Sequence, residues 1–104
     1  MRAYSIDFAE DAVADIECFR KAERRLILDE IDRQLTREPA VVTTNRKQLR
    51  PNRLAEWELR TGPYRVFYDV TEPGSPGTVG KVKIVAVGRK EHNRLYIGAE
   101  EFRL

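Results

Sequence analysis

Two stretches of the 104-residue chain hold side chains able to handle a phosphodiester. The first is Arg46-Lys47-Gln48-Leu49-Arg50-Pro51-Asn52-Arg53, with four cations and no acid. The second is the set Lys81, Lys83, Arg89, Lys90 and Arg94, with His92 in its midst. Between them lie two alternating runs, Glu56-Trp57-Glu58-Leu59-Arg60-Thr61 and Tyr64-Arg65-Val66-Phe67-Tyr68-Asp69-Val70. In a strand, alternate residues share a face, so Glu56, Glu58 and Arg60 project together, as do Arg65, Phe67 and Asp69. On such a face arginines such as Arg65 and Arg89 can hold a phosphate, a carboxylate or His92 can move protons, and Tyr96 can orient a nucleotide. A solvated face whose Arg and Glu pair across strands satisfies the same pattern, each exposed pair being worth under ~1 kcal/mol.

The charge is unevenly distributed. The net charge is +2, but residues 46–104 carry 12 Lys/Arg against 7 acids, whereas residues 1–45 carry 7 against 10. A basic half fits a polyanion or an acidic protein segment, and equally a surface that is merely basic. A single Cys18 excludes an internal disulfide, and with His92 the only histidine, neither a structural metal nor a cofactor is expected. Phosphate-cradling glycine loops and serine-hydrolase elbows are missing. No apolar run is long enough to cross a membrane, and the acidic N-terminal stretch lacks a signal core, so a cytoplasmic protein is expected.

The elements that must position these side chains follow from periodicity. Tyr4, Ile6 and Phe8 alternate as a first strand. Asp7 and Glu10 have the spacing of a capping box that opens a helix. Apolar residues from Ala12 to Phe19, then from Leu26 to Leu35, predict a helical hairpin or one kinked helix over 9–38, stopped before Pro39. Cys18 falls among its core positions. Residues 39–55 show no period, a long connection that hints at function. Trp57, Leu59, Val66, Tyr68 and Val70 form the helix-packed face of a hairpin turned at Gly62-Pro63. Lys81 to Val87 predicts a further strand ended by Gly88, whose facing is open because both of its rows hold apolar residues. Residues 91–102 read as a short helix or tail; a helix would put His92 and Tyr96 on one face. The expected architecture is therefore one α+β domain spanning 1–104: an N-terminal strand, a helical hairpin, then a three-stranded antiparallel meander in one mostly antiparallel sheet.

Taken in order, Lys47-Gln48-Leu49-Arg50, Trp57-Glu58-Leu59-Arg60, Gly62-Pro63-Tyr64-Arg65-Val66-Phe67-Tyr68, Val85-Ala86-Val87-Gly88-Arg89-Lys90 and Leu95-Tyr96 resemble the RelE/ParE superfamily of type II toxins, over nearly the whole chain. The resemblance implies a toxin neutralised by a cognate antitoxin, with RelE-type members cleaving mRNA on the ribosome by 2′-hydroxyl attack and ParE-type members inhibiting DNA gyrase. The Tyr64-Arg65 and Tyr96 matches favour the RelE branch. By resemblance Arg65 binds the phosphate, Lys90 or its neighbour Arg89 stabilises the phosphorane, and Tyr96 stacks on the nucleotide. RelE has lysines where this chain has Glu56 and Glu58, so Glu58 becomes the expected general base and His92 or Lys90 the acid. Arg46, Lys47, Arg50, Arg53, Arg60, Lys81, Lys83, Arg89 and Arg94 become the expected RNA contacts. The resemblance further implies a toxin–antitoxin assembly on operator DNA. A gyrase inhibitor without catalysis, or a degenerate subunit that only binds its antitoxin, are the competing expectations.

Overall fold

The computed structural model describes residues 4–104. Strand β1 (Tyr4–Phe8) leads into helices α1 (Glu10–Glu17) and α2 (Lys21–Leu35). Strands β2 (Arg46–Gln48), β3 (Trp57–Thr61), β4 (Tyr64–Thr71), β5 (Gly80–Glu91), β6 (Arg94–Ile97) and β7 (Glu100–Phe102) follow. They form one sheet in the order β2-β3-β4-β5-β6-β7, antiparallel throughout that path. Strand β1 joins β5 in parallel, Tyr4 opposite Gly80 through Phe8 opposite Ile84. The second half of β5 takes β6 along that same edge, Gly88 opposite Ile97 through Glu91 opposite Arg94. In the gap between them the Val87 N–H donates to Asp15 Oδ2 at 3.0 Å, so helix α1 satisfies a strand donor that would otherwise be left without a partner. Burial of the Asp15 carboxyl raises its pKa, against the lowering effect of that bond.

The α+β architecture and the helical hairpin are as the periodicity predicts. Three local expectations are corrected. The capping box at Asp7 and Glu10 does not form: the α1 N-cap is Ala9, without a side-chain bond. The reciprocal bond opens α2 instead, where the Arg20 N–H donates to Glu23 Oε1 at 3.0 Å. Cys18 is an exposed C-cap rather than a core residue, because α1 ends there and its inward positions are Ala12 and Ile16. The segment after Glu91 is not helical. His92 and Asn93 adopt positive φ (49° and 67°) in a tight turn, and β6 and β7 extend the sheet.

The main core lies between sheet and helices. Ile16, Ile27, Ile31 and Leu35 meet Trp57, Leu59, Val66, Tyr68, Val82, Ile84 and Val87. The Tyr68 hydroxyl reaches across this core to the buried Pro39 carbonyl at 2.7 Å and so ties down the long connection after α2. Burial raises the Tyr68 pKa, which keeps the hydroxyl protonated and able to donate.

The opposite face is less charged than its alternation implies. Phe67 is fully buried there, with Ala55 and Ala86, under Leu49, Leu54, Leu95 and Ile97. Pairing β4 with β5 shows why β5 has two apolar rows. Phe67 stands opposite Ala86 but Tyr68 opposite Ile84, so Val85 is bulged out of register. Up to Ile84 the even-numbered residues face the helices; beyond the bulge the odd-numbered ones do. Among the described residues no helix is long and apolar enough to cross a membrane.

Candidate functional site

The bulge at Val85 decides which side chains of β5 belong together. Directly opposed residues share a face, and Arg65 stands opposite Gly88, Lys90 opposite Leu95, and Glu58 opposite Phe67. Glu58, Arg65 and Lys90, from three strands, therefore share the face away from the helices. They line one cleft of about 450 Å³ with Arg94, Phe102 and the segment that follows it. Phe67 and Ala86 make the apolar support beneath.

Glu58 is buried apart from about a tenth of its side chain, and its Oε1 accepts from Arg60 Nε at 3.0 Å. Arg65 folds back on its own turn, where Nη1 donates to the Gly62 carbonyl at 2.8 Å and the Tyr64 carbonyl at 2.9 Å. Its Nε is buried without a hydrogen-bond partner. Burial lowers the Arg65 pKa, opposed by the nearby Glu58 carboxylate, and the guanidinium stays charged. Gly88 stands opposite both Arg65 and Ile97; a Cβ there would run into the Tyr96 carbonyl oxygen, so only glycine lets β6 approach and close the cleft wall. The Lys90 N–H donates to the Pro63 carbonyl at 2.7 Å, fixing the strand end against the β3–β4 turn.

Arg89 and Tyr96 are not in this cleft. They pair with each other and with Tyr64 on the helix-covered side. Arg89 Nη2 donates to Glu23 Oε2 at 2.7 Å, and the Tyr64 hydroxyl donates to the same oxygen at 2.7 Å. The guanidinium lies 5.4 Å from the Phe19 ring centroid and 5.7 Å from that of Tyr64. The Tyr64 hydrogen bond, then the Arg20 N–H, hold the Glu23 pKa below its ordinary value, while the Tyr64 pKa is raised by the same carboxylate. Arg89 is thus a half-buried cation paired on the helix side, and of the two neighbours it is Lys90 that lines the cleft. Tyr96 instead lines a smaller hollow of about 280 Å³ with Asp15, Cys18, Phe19 and Arg89. His92 sits exposed on the β5–β6 turn and does not line the cleft. It cannot share a helix face with Tyr96, because that helix does not exist.

The other expected RNA contacts divide similarly. Arg46 is used internally: Nη1 donates to the Gln34 carbonyl near the end of α2 at 2.7 Å, and Nε to Val41 at 3.1 Å. Arg60 is the partner of Glu58. Lys81 lies 3.8 Å from Asp7, and Lys83 stands between Asp7 and Asp69 in the sheet register, both remote in sequence position along β5 from Lys90. Lys47 and Arg50 are exposed beside the cleft, along a second groove that shares Leu104 with it. The Arg53 guanidinium stacks 5.5 Å from the centroid of Phe102. Sequence reasoning missed Glu101, Phe102 and Arg103 as cleft residues. Their signal was present, since Leu95, Ile97 and Phe102 flank a Gly98-Ala99 turn in the manner of a hairpin.

No family model matches the chain, and no curated protein does. Among solved structures it is similar to a chain of the toxin–antitoxin complex RelBE2 from Mycobacterium tuberculosis, at 23% identity and a TM-score of 0.64. That likeness covers 85% of this chain and 99% of the other. The N-terminal strand, the helical pair and the antiparallel sheet that carries Glu58, Arg65 and Lys90 therefore make up a RelE-like α+β fold.

Proposed function

We propose that the chain is the toxin of a type II toxin–antitoxin system and acts as a ribosome-dependent mRNA endoribonuclease. The observation that carries this reading is the meeting of Glu58, Arg65 and Lys90 in one cleft. The similarity to a toxin–antitoxin structure supports it. A base, an anchored guanidinium and an ammonium are the groups that a 2′-hydroxyl attack requires. Glu58 takes the 2′-proton as the new O–P bond forms. Arg65 holds the phosphate and balances the charge that gathers on it. Lys90 gives a proton to the departing 5′-oxygen as the old P–O bond breaks. The products are a 2′,3′-cyclic phosphate and a 5′-hydroxyl end. Lys90 takes this role in preference to His92, which lies outside the cleft. Lys47, Arg50 and Arg94 extend the basic rim toward ribosomal and messenger phosphates, a salt-sensitive mode of binding. The cognate antitoxin would cover this surface with an acidic, amphipathic segment that folds on binding.

The test is primer extension on mRNA from programmed ribosomes treated with antitoxin-free protein. Cuts in the A site that require ribosomes and disappear with Arg65→Ala are the expected result. Intact mRNA beside undiminished growth arrest would replace this reading by gyrase inhibition. The Glu58–Arg60 ion pair and the separation of Tyr96 from the cleft are the observations that favour such a non-catalytic role.

A further inference from the structure

The sheet register sorts the strand aromatics by face. Trp57, Tyr64 and Tyr68 turn toward the helices, and Tyr96, opposite Arg89, is on that same side. Phe67 and Phe102 lie on the other face. Phe67 is opposite Glu58; Phe102 is opposite Leu95, which is itself opposite Lys90. Phe67 is fully buried and has no ring surface to offer a ligand. Phe102 is half-buried and lines the cleft with Glu58, Arg65 and Lys90. It also lines a neighbouring hollow of about 360 Å³ that Arg53 shares, whereas Arg53 does not line the cleft. The ring is thus a wall between the two, with the Arg53 guanidinium 5.5 Å from its centroid, within cation–π range. The loop that delivers Arg53 is closed by Asn52. Its Oδ1 accepts from the Leu54 and Ala55 N–H groups at 2.7 and 3.0 Å, and its Nδ2 donates to the Arg50 and Ala55 carbonyls at 2.7 and 2.9 Å.

Resting on the reading of this cleft as an RNA site, we infer that Phe102, backed by Arg53, is the platform on which one base of the bound strand stacks. Arg65 and Lys90 supply charge for a phosphate, but a phosphate held by cations alone is still free to turn. A base stacked on a ring carried by the same sheet fixes how its ribose enters relative to Glu58, which is the orientation that an in-line attack needs. Every base has a π face, so the platform selects for the presence of a base and not for its identity. The register places Phe102 in the row of Lys90 and Leu95, so no strand has to move for the base to reach it.

The experiment measures initial cleavage rates on programmed ribosomes below saturation. The mRNA carries a single abasic ribonucleotide, moved position by position through the A-site codon. With the unaltered protein, one position should be sensitive, the missing base slowing cleavage about tenfold, as stacking on one aromatic ring warrants. Phe102→Ala should slow cleavage of intact mRNA about tenfold and be indifferent to the missing base at that position, because the partner of that base is already gone. Phe102→Leu, which keeps apolar bulk without a ring, should behave like Phe102→Ala, and Phe102→Tyr like the unaltered protein. An unchanged rate in Phe102→Ala or Phe102→Leu, a loss that adds in full to that of the abasic site, or no sensitive position at all would overturn the inference while the nuclease reading stands. Failure of the unaltered protein to cut intact mRNA would overturn the nuclease reading, and the inference with it. Circular-dichroism melts of each variant, expected to superimpose, keep the comparison to folded protein.

Discussion

Replacing Glu58 with Gln separates chemistry from packing more cleanly than any other change in the cleft. The two side chains are nearly isosteric, and the amide oxygen can still accept from Arg60 Nε, now 3.0 Å from Oε1. What disappears is the negative charge and the ability to take a proton. The stability cost is bounded by the ion pair. The Arg60 side chain is 42% exposed, so solvent screens the interaction and the loss stays under ~1 kcal/mol. A domain of this size melts about 4–8 °C lower for each kcal/mol lost, so the shift should remain within that range. Against a typical stability of 5 kcal/mol or more, such a loss leaves the protein folded at assay temperature. The kinetic cost is of another order, because removing a general base slows a step by about 10²–10⁴-fold. Single-turnover cleavage of mRNA on saturating programmed ribosomes, with thermal melts alongside, reads both numbers. A rate within about tenfold of the original would refute the assignment and leave Glu58 as a counter-ion for Arg60 and Arg65.

Two further outcomes test the scaffold. Tyr68→Phe removes the hydroxyl that reaches the buried Pro39 carbonyl, and an acceptor stranded in the core costs about 1–3 kcal/mol, to be read as a lower urea midpoint with an unchanged slope; an unaltered midpoint would mean the bond contributes nothing. Glu23, whose pKa is lowered in the fold, stabilises fully above its ordinary value of 4.5 and loses that contribution as pH falls through the depressed value. Urea midpoints measured from neutral pH downward should therefore fall less steeply in Glu23→Gln, which starts lower at neutral pH, than in the unaltered protein; parallel curves would remove Glu23 as an acid-sensitive anchor of Tyr64 and Arg89.

What the sequence reveals and what it hides divide along physical lines. The helices, the hairpin and the inward row of Trp57, Leu59, Val66 and Tyr68 follow from periodicity because each buries one face against a single core. The facing of Lys90 does not, because it depends on one residue of slippage. Alternation counted from Lys81 puts Arg89 beside Lys83 and Lys81, and Lys90 among the core residues. The bulge at Val85 inverts that count for the rest of β5. No local signal marks the bulge beyond the presence of apolar residues in both rows. The strands β6 and β7 were obscured by their charge, since Glu91 to Arg94 and Glu100 to Glu101 read as a polar tail until the positive-φ turn at His92 and Asn93 folds them back. The basic residues were legible as a surplus but not by task. Arg46 and Arg89 are spent on carbonyls and a carboxylate inside the fold, and only the three-dimensional pairing separates them from Lys47, Arg50 and Lys90.

That separation also explains why the two faces of one hairpin can be tuned apart. Tyr64 and Arg89 are locked by Glu23 from the helix side, while their chain neighbours Arg65 and Lys90 project into the cleft on the other. Rigidity is therefore supplied through the backbone that the four residues share. The Lys90 N–H bond to Pro63 joins the ends of the two strands, and Arg65 Nη1 is tied to Gly62 and Tyr64 in the same turn. On the proposed reading, a phosphate bound here would meet a guanidinium whose position is set before binding, which is the arrangement electrostatic stabilisation needs, since dipoles already aimed at the developing charge cost no reorganisation. Substitutions in the Glu23 network should thus act on the placement of Arg65 and Lys90 without touching the reacting atoms, whereas substitutions in the cleft change the charge itself.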